Sequence, residues 1–153
     1  MLNKSFSLYV SEQIKPYHKT IWVDSDKSIS IRSFLIGAIS HNISEVKNVL
    51  ESDDIFSCID CLKKLGVTIE KVKAKHYLVY GKGLGSLHIK KNTVLNCGNS
   101  GTTARLLIGL LSTNPDIQVK IKGDRSLNKR SMTKLIDLMS EFGTTFLPKK
   151  KTN

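Results

Sequence analysis

The sequence predicts an α/β fold of mixed sheets, built from repeated β-α-β-α-β units. Three observations carry this. First, 54–69, "DIFSCIDCLKKLGVTI", and 131–146, "SMTKLIDLMSEFGTTF", carry one apolar spacing: 55, 58, 59, 62, 65 and 132, 135, 136, 139, 142. That spacing is the stripe of an amphipathic helix. Second, each stripe ends at a glycine, Gly66 and Gly143, followed by a short β-prone run. A glycine there suits a helix C-cap. Third, "LIGAIS" at 35–40 is echoed by "LIGLLS" at 107–112, each after a Ser/Thr-rich start and an arginine, Arg32 and Arg105.

Unit one, 19–90, is expected to run strand (Thr20–Val23), helix (about 28–40), strand (45–50), helix (53–65). Two strands then flank a glycine turn in "HYLVYGKGLGSLHI". Unit two, 91–148, repeats the plan: strand Thr93–Asn96, helix (about 101–112), strand (117–122), helix (131–142) and strand (144–147). Strands alternating with helices imply sheets with crossover helices packed on them. No linker or low-complexity segment separates the units, so they are read as one body, and 149–153 is a basic tail.

The chain has 153 residues, long enough to bury a core, and 40% of them are apolar. No run approaches the roughly 18 apolar residues of a membrane span. The N-terminus "MLNKSFSLYV" is too short and too polar for a secretory signal, which gives a cytoplasmic location as the expectation. Lys and Arg number 24 against 13 acids, a net charge of +11 that favours anionic partners. Aromatics are only 7% and do not interleave with the cations, which argues against a single-strand nucleic-acid binder. Cys58 and Cys61 form a C-x-x-C, but they lie inside the apolar stripe of a helix and not at its start, where a thiolate is stabilised. With Cys97 they are read as core residues, because free cysteine behaves as a small hydrophobe.

The chemistry-bearing residues cluster at helix starts. "CGNSGTTARLL", 97–107, sets two glycines and four small polar residues before an apolar helix read as buried nearly all round. The first amides of a helix lack intrahelical acceptors, and the macrodipole is positive there. Asn99, Ser100, Thr102 and Thr103 suit capping, and Gly98 and Gly101 let backbone approach a ligand closely. The same residues equally make a capped buried helix without a ligand. In "DSDKSISIR", 24–32, Asp24, Ser25 or Asp26 caps a helix whose first turn holds Lys27 and Ser28. A lysine at that end opposes the dipole unless an anion is present. Ser28 and Arg32, four apart, share its face, giving an ammonium, a hydroxyl and a guanidinium fork, or a solvated basic face. "KGDRSLNKRSM", 122–132, brings Arg125, Lys129 and Arg130 to a third helix start, or forms an exposed basic loop. "GKGLGS" at 81–86 is read as a hairpin turn, and Ser52-Asp53-Asp54 as a helix cap. The four histidines have no ligand-like spacing.

Together, "DKSISIR", "CGNSGTTARLL" and "GDRSLNKRSM" resemble EPSP synthase, 3-phosphoshikimate 1-carboxyvinyltransferase, from about residue 19 to 147. The resemblance implies transfer of the enolpyruvyl group of phosphoenolpyruvate to the 5-hydroxyl of shikimate 3-phosphate, with release of phosphate, on the route to aromatic amino acids. It implies no metal or organic cofactor. By motif match, Lys27, Ser28 and Arg32 bind shikimate 3-phosphate. Lys27 also faces phosphoenolpyruvate, with Gly101 and Arg130, and Asn99 and Arg105 support that pocket. Lys27 and Arg130 are the residues placed nearest the reaction.

The family has six such repeats in two halves, with its principal acid/base carboxylates in the C-terminal half. This chain has about two repeats. The expectation is an N-terminal portion with one side of the cleft, residues 1–18 without strand partners and little turnover alone. The C-terminal part of the enzyme is then its natural partner. Two departures bear on loop geometry: Asp24-Ser25 stands where the family has Pro-Gly, and Ser131 where it has a proline. Beside a degenerate, non-functional reading frame, two other readings stay open. One is the sibling enzyme acting on UDP-N-acetylglucosamine, which usually has a reactive-loop cysteine absent from 113–131. The other is a non-enzymatic basic nucleic-acid binder.

Overall fold

Two apolar helix stripes and the strands between them organise the molecule as a mixed helix-and-strand fold. The structure, a computed structural model, describes residues 24–90, 93–114 and 117–147. The expected strand Thr20–Val23, residues 1–18 and the tail lie outside the described residues. In chain order the elements are α1 (Lys27–Ile39), β1 (Ile43–Lys47), α2 (Asp53–Lys64), β2 (Thr68–Lys73) and β3 (His76–Tyr80). There follow β4 (Val94–Asn96), α3 (Gly101–Leu111), β5 (Lys120–Lys122), a 3-10 turn (Leu127–Lys129) and α4 (Thr133–Glu141).

β3 is the centre of an antiparallel sheet ordered β1-β3-β2, and β4 pairs in parallel with β5 across the α3 crossover. Asp53 and Asp54 open α2 and Lys63 and Lys64 close it, matching the macrodipole at both ends. Gly66 (φ 87) and Gly143 (φ 92) take the left-handed conformation after α2 and α4, as their spacing predicts. The α2 stripe is sealed: Ile55, Cys58, Leu62 and Leu65 have no exposure, and Phe34 of α1 meets Tyr77 of β3 edge-on at 5.4 Å. Cys61 and Cys97 are buried with Cys58, all three free thiols. Burial pushes Cys58 up to about 12, so it stays a thiol inside the core.

The structure corrects several expectations. The strand placed at 45–50 ends at Lys47, because Asn48 turns to φ 55. The two strands around "GKGLGS" are one. Both edges of β3 are already taken, and its hairpin turn is at Lys75 (φ 57), joining β2. The glycine loop instead wraps the end of α1: Lys82 N donates to Ala38 O (2.8 Å) and Gly83 N to Ser40 O (2.8 Å). A side chain at Gly81 has no room against Ser40. α3 is not buried all round: Ala104, Leu107 and Leu111 are covered, whereas Leu106, Ile108 and Leu110 are half-exposed. The stretch 144–147 forms no strand, and no residue of α4 is buried. Among the described residues, no helix is long and apolar enough to cross a membrane.

Candidate functional site

α1 and α3 start beside one another, and the loop before α4 folds over them. Asp26 caps α1, its Oδ1 accepting from Ile29 N at 2.7 Å. That leaves Lys27 as the first helical residue, as the sequence predicts. Ser100 caps α3: its hydroxyl accepts from Thr103 N (3.2 Å) and donates to Thr103 Oγ1 (2.8 Å), both groups buried. Gly98 (φ 54) makes the turn into the cap, and Gly98 N donates to Asn96 Oδ1.

The 122–130 loop is braced from several directions. Cys97 N donates to Lys122 O and Asp124 N to Gly98 O, each at 2.8 Å, tying it to the turn before α3. Asp124 Oδ1 caps the 3-10 turn through Leu127 N (2.7 Å), and the Asn128 amide clasps Gly123 by both its backbone groups. Leu127 is buried and seated on Gly123, where a side chain would overlap it. These braces deliver Arg130 to α3, where its Nη2 donates to Asn99 Oδ1 at 2.8 Å.

The result is a polar cleft of about 390 Å³ lined by Lys27, Asp54, Asn99, Gly101, Thr102, Arg105 and Arg130. Lys27 Nζ lies 2.9 Å from Asp54 Oδ2, so the first turns of α1 and α2 are joined by an ion pair. Gly101 sits under two guanidinium groups: a Cβ there would lie 2.9 Å from Arg130 Nη1 and 3.5 Å from Arg105 Nη1. Three cations face a single carboxylate over a helix start, which is a geometry for a multiply charged anion.

The structure thus brings together five residues picked out by the sequence: Lys27, Asn99, Gly101, Arg105 and Arg130. Ser28 and Arg32 lie on α1 outside this lining, with Arg32 Nη1 donating to Ser28 O at 3.0 Å. Arg125 and Lys129 also lie outside it. Sequence reasoning missed Asp54, taken only as a helix cap, and gave Thr102 only a capping role. The unused signal for Asp54 was a carboxylate in a first turn facing a lysine in the first turn of the neighbouring helix.

Fold and cleft define an α/β protein that gathers positive potential at adjoining helix starts. The EPSP synthase (3-phosphoshikimate 1-carboxyvinyltransferase) family model matches residues 11–153, and the chain belongs to that family. It is 38% identical over 144 residues to the 3-phosphoshikimate 1-carboxyvinyltransferase of Syntrophomonas wolfei, covering 94% of this chain and 33% of the relative. The relative of the same name in Caldicellulosiruptor saccharolyticus is 44% identical over 124 residues, covering 81% of this chain and 28% of the relative. In Bacillus subtilis the figures are 36% over 132 residues, 86% and 30%. The solved EPSP synthase from Acinetobacter baumannii superposes with a TM-score of 0.75 at 34% identity, over 82% of this chain and 28% of that one. The chain therefore spans about a third of the length of the curated relatives it matches.

Proposed function

We propose that the cleft is one wall of the enolpyruvyl-transfer site of this family, and that it holds phosphoenolpyruvate against shikimate 3-phosphate. The observation that carries the reading is the meeting of Lys27, Arg105 and Arg130 with Asn99 and Gly101 in one cleft. Both substrates are multiply anionic, and cations converging on a helix start are suited to hold such groups. In the reaction, the methylene of phosphoenolpyruvate takes a proton and the 5-hydroxyl attacks the adjacent carbon. The hydroxyl gives up its proton as it attacks, and the tetrahedral adduct then loses a methyl proton and expels phosphate, which restores the enol double bond.

The residues of this chain serve that sequence by position and charge. The Arg130 fork, steadied by Asn99, grips the carboxylate or phosphate of phosphoenolpyruvate. Lys27, steered by Asp54, stands where charge grows on the departing phosphate. Gly101 lets the ligand and both guanidinium groups approach the backbone of α3. Ser28 and Arg32, on the same helix as Lys27, hold the phosphate of the shikimate ester at the margin of the cleft. The acid/base carboxylates belong to the other half of the family's architecture, so the chain alone binds and does not turn over. A cytoplasmic setting, where both metabolites occur, fits this reading.

Calorimetry tests it. Phosphoenolpyruvate binds the 153-residue chain in the presence of shikimate 3-phosphate, and Arg130→Ala weakens it at least about tenfold, as loss of a charge-assisted pair does. Phosphate release stays at background. Normal enolpyruvyl transfer by this chain, or binding that ignores Arg130, overturns the proposal.

A further inference from the structure

A second basic cluster lies where β1 ends and β2 turns into β3. It surrounds a depression of about 420 Å³ lined by Lys47, Asn48, Lys73, Ala74, Lys75 and His76. Three ammonium groups and an imidazole thus meet there, and among the described residues no carboxylate joins the lining. The sheet register sets three of them in a row: His76 of β3 lies opposite Lys47 of β1 on one side and opposite Lys73 of β2 on the other. Directly opposed residues share one face of a sheet, and like charges so placed repel. Glu45 answers part of this charge, lying 2.9 Å from Lys47 Nζ and 2.8 Å from His76 Nε2. Lys73 and Lys75 have no ion pair among the described residues.

The backbone gives an independent sign. Among the described residues, Asn48 (φ 55) and Lys75 (φ 57) are the non-glycine residues in the left-handed region, and both line this depression. Asparagine tolerates that conformation, whereas a lysine is strained in it and glycine would not be. The turn therefore keeps an ammonium at a position where glycine is the easier residue, beside other cations. We infer that this depression is a second anion site, and that it takes a linear chain of phosphates. The row crosses two interstrand spacings, about 10 Å, so it meets several phosphate groups in succession, whereas a single phosphate ester reaches only one end. Ammonium groups on flexible stems suit phosphate oxygens arriving from different sides. The site shares no lining residue with the cleft, and the inference does not depend on the proposed function.

A nuclear magnetic resonance titration of the 153-residue chain with inorganic tripolyphosphate tests it. Saturable shifts are expected at 47, 48 and 73–76, with the same affinity in Lys27→Met. Lys75→Gly suits φ 57, so the urea midpoint holds or rises. The same variant weakens tripolyphosphate about fivefold, the effect of one exposed ion pair. Adding Lys73→Gln abolishes saturation. Lys134→Gln removes an equal charge from the exposed side of α4 and changes nothing. Adenosine triphosphate identifies the source: tighter binding than tripolyphosphate marks a nucleotide, and no tighter binding marks the phosphate chain alone. Phosphoenolpyruvate leaves these residues unmoved. The inference fails if tripolyphosphate shifts basic residues over the whole surface without saturating, if its shifts fall only in the cleft, or if Lys75→Gly and Lys134→Gln behave alike. Tripolyphosphate binding here without a phosphoenolpyruvate response at 27 and 130 sinks the functional reading alone, and the reverse sinks only this inference.

Discussion

At Gly101 the cost of a methyl group can be read directly from the geometry. Alanine there is a good helix former, so α3 itself does not suffer. The methyl instead meets the Arg130 guanidinium at 2.9 Å and displaces it from Asn99. Gly101→Ala should weaken phosphoenolpyruvate about tenfold, read by calorimetry, with an unchanged urea midpoint. An unaltered affinity contradicts the role given to this glycine. Glu51 is the other residue with a measurable signature. It accepts from Tyr77 Oη (2.6 Å) and Lys75 N (3.1 Å) and pairs with Lys71 (2.9 Å). The Tyr77 hydrogen bond first, then those of Lys71 and Lys75, hold its carboxyl down at about 2. A depressed carboxylate stabilises the fold above its unfolded pKa, and that contribution fades as pH falls from about 4.5 towards 2. Glu51→Gln should flatten the pH dependence of the urea midpoint in that window. A parallel loss in both proteins contradicts the assignment.

At the scale of elements, the helices were legible and much of the pairing was not. A stripe of 3.6 periodicity closed by a glycine is local information, and it placed α2 and α4 to within two residues at each end. Strand pairing is non-local. Nothing in "GKGLGS" tells that β3 already has two partners, so the loop was misread as a hairpin. The site divides likewise. Lys27, Asn99 and Gly101 were visible because helix starts have local signatures, whereas Asp54 joins the cleft only through the packing of α2 on α1. Arg130 reaches Asn99, 31 residues away in sequence, through the braces that hold the 122–130 loop. The Ser100 cap is the element on which α3 depends. Ser100→Ala removes the acceptor of Thr103 N and the partner of its hydroxyl, both buried. A loss of about 1–2 kcal/mol in urea unfolding is expected. Full stability would contradict the cap's importance.

Over the whole molecule, the sealed α2 face is the firm part of the fold, whereas α4 has no fully buried residue and its stripe is half-buried except at Phe142. The cleft lies against the firm part, at the starts of α1 and α3, so its geometry follows from the core and not from a free loop. The +11 charge strengthens anion capture at long range, and salt should weaken phosphoenolpyruvate binding more steeply than it weakens the fold. The central claim is that one cleft at adjoining helix starts grips the anion. Its most direct test is a nuclear magnetic resonance titration of the 153-residue chain with phosphoenolpyruvate. Shifts should concentrate at 27, 99–102, 105 and 130 and vanish in Lys27→Met. Shifts scattered over the basic surface, or persisting in that variant, would contradict it.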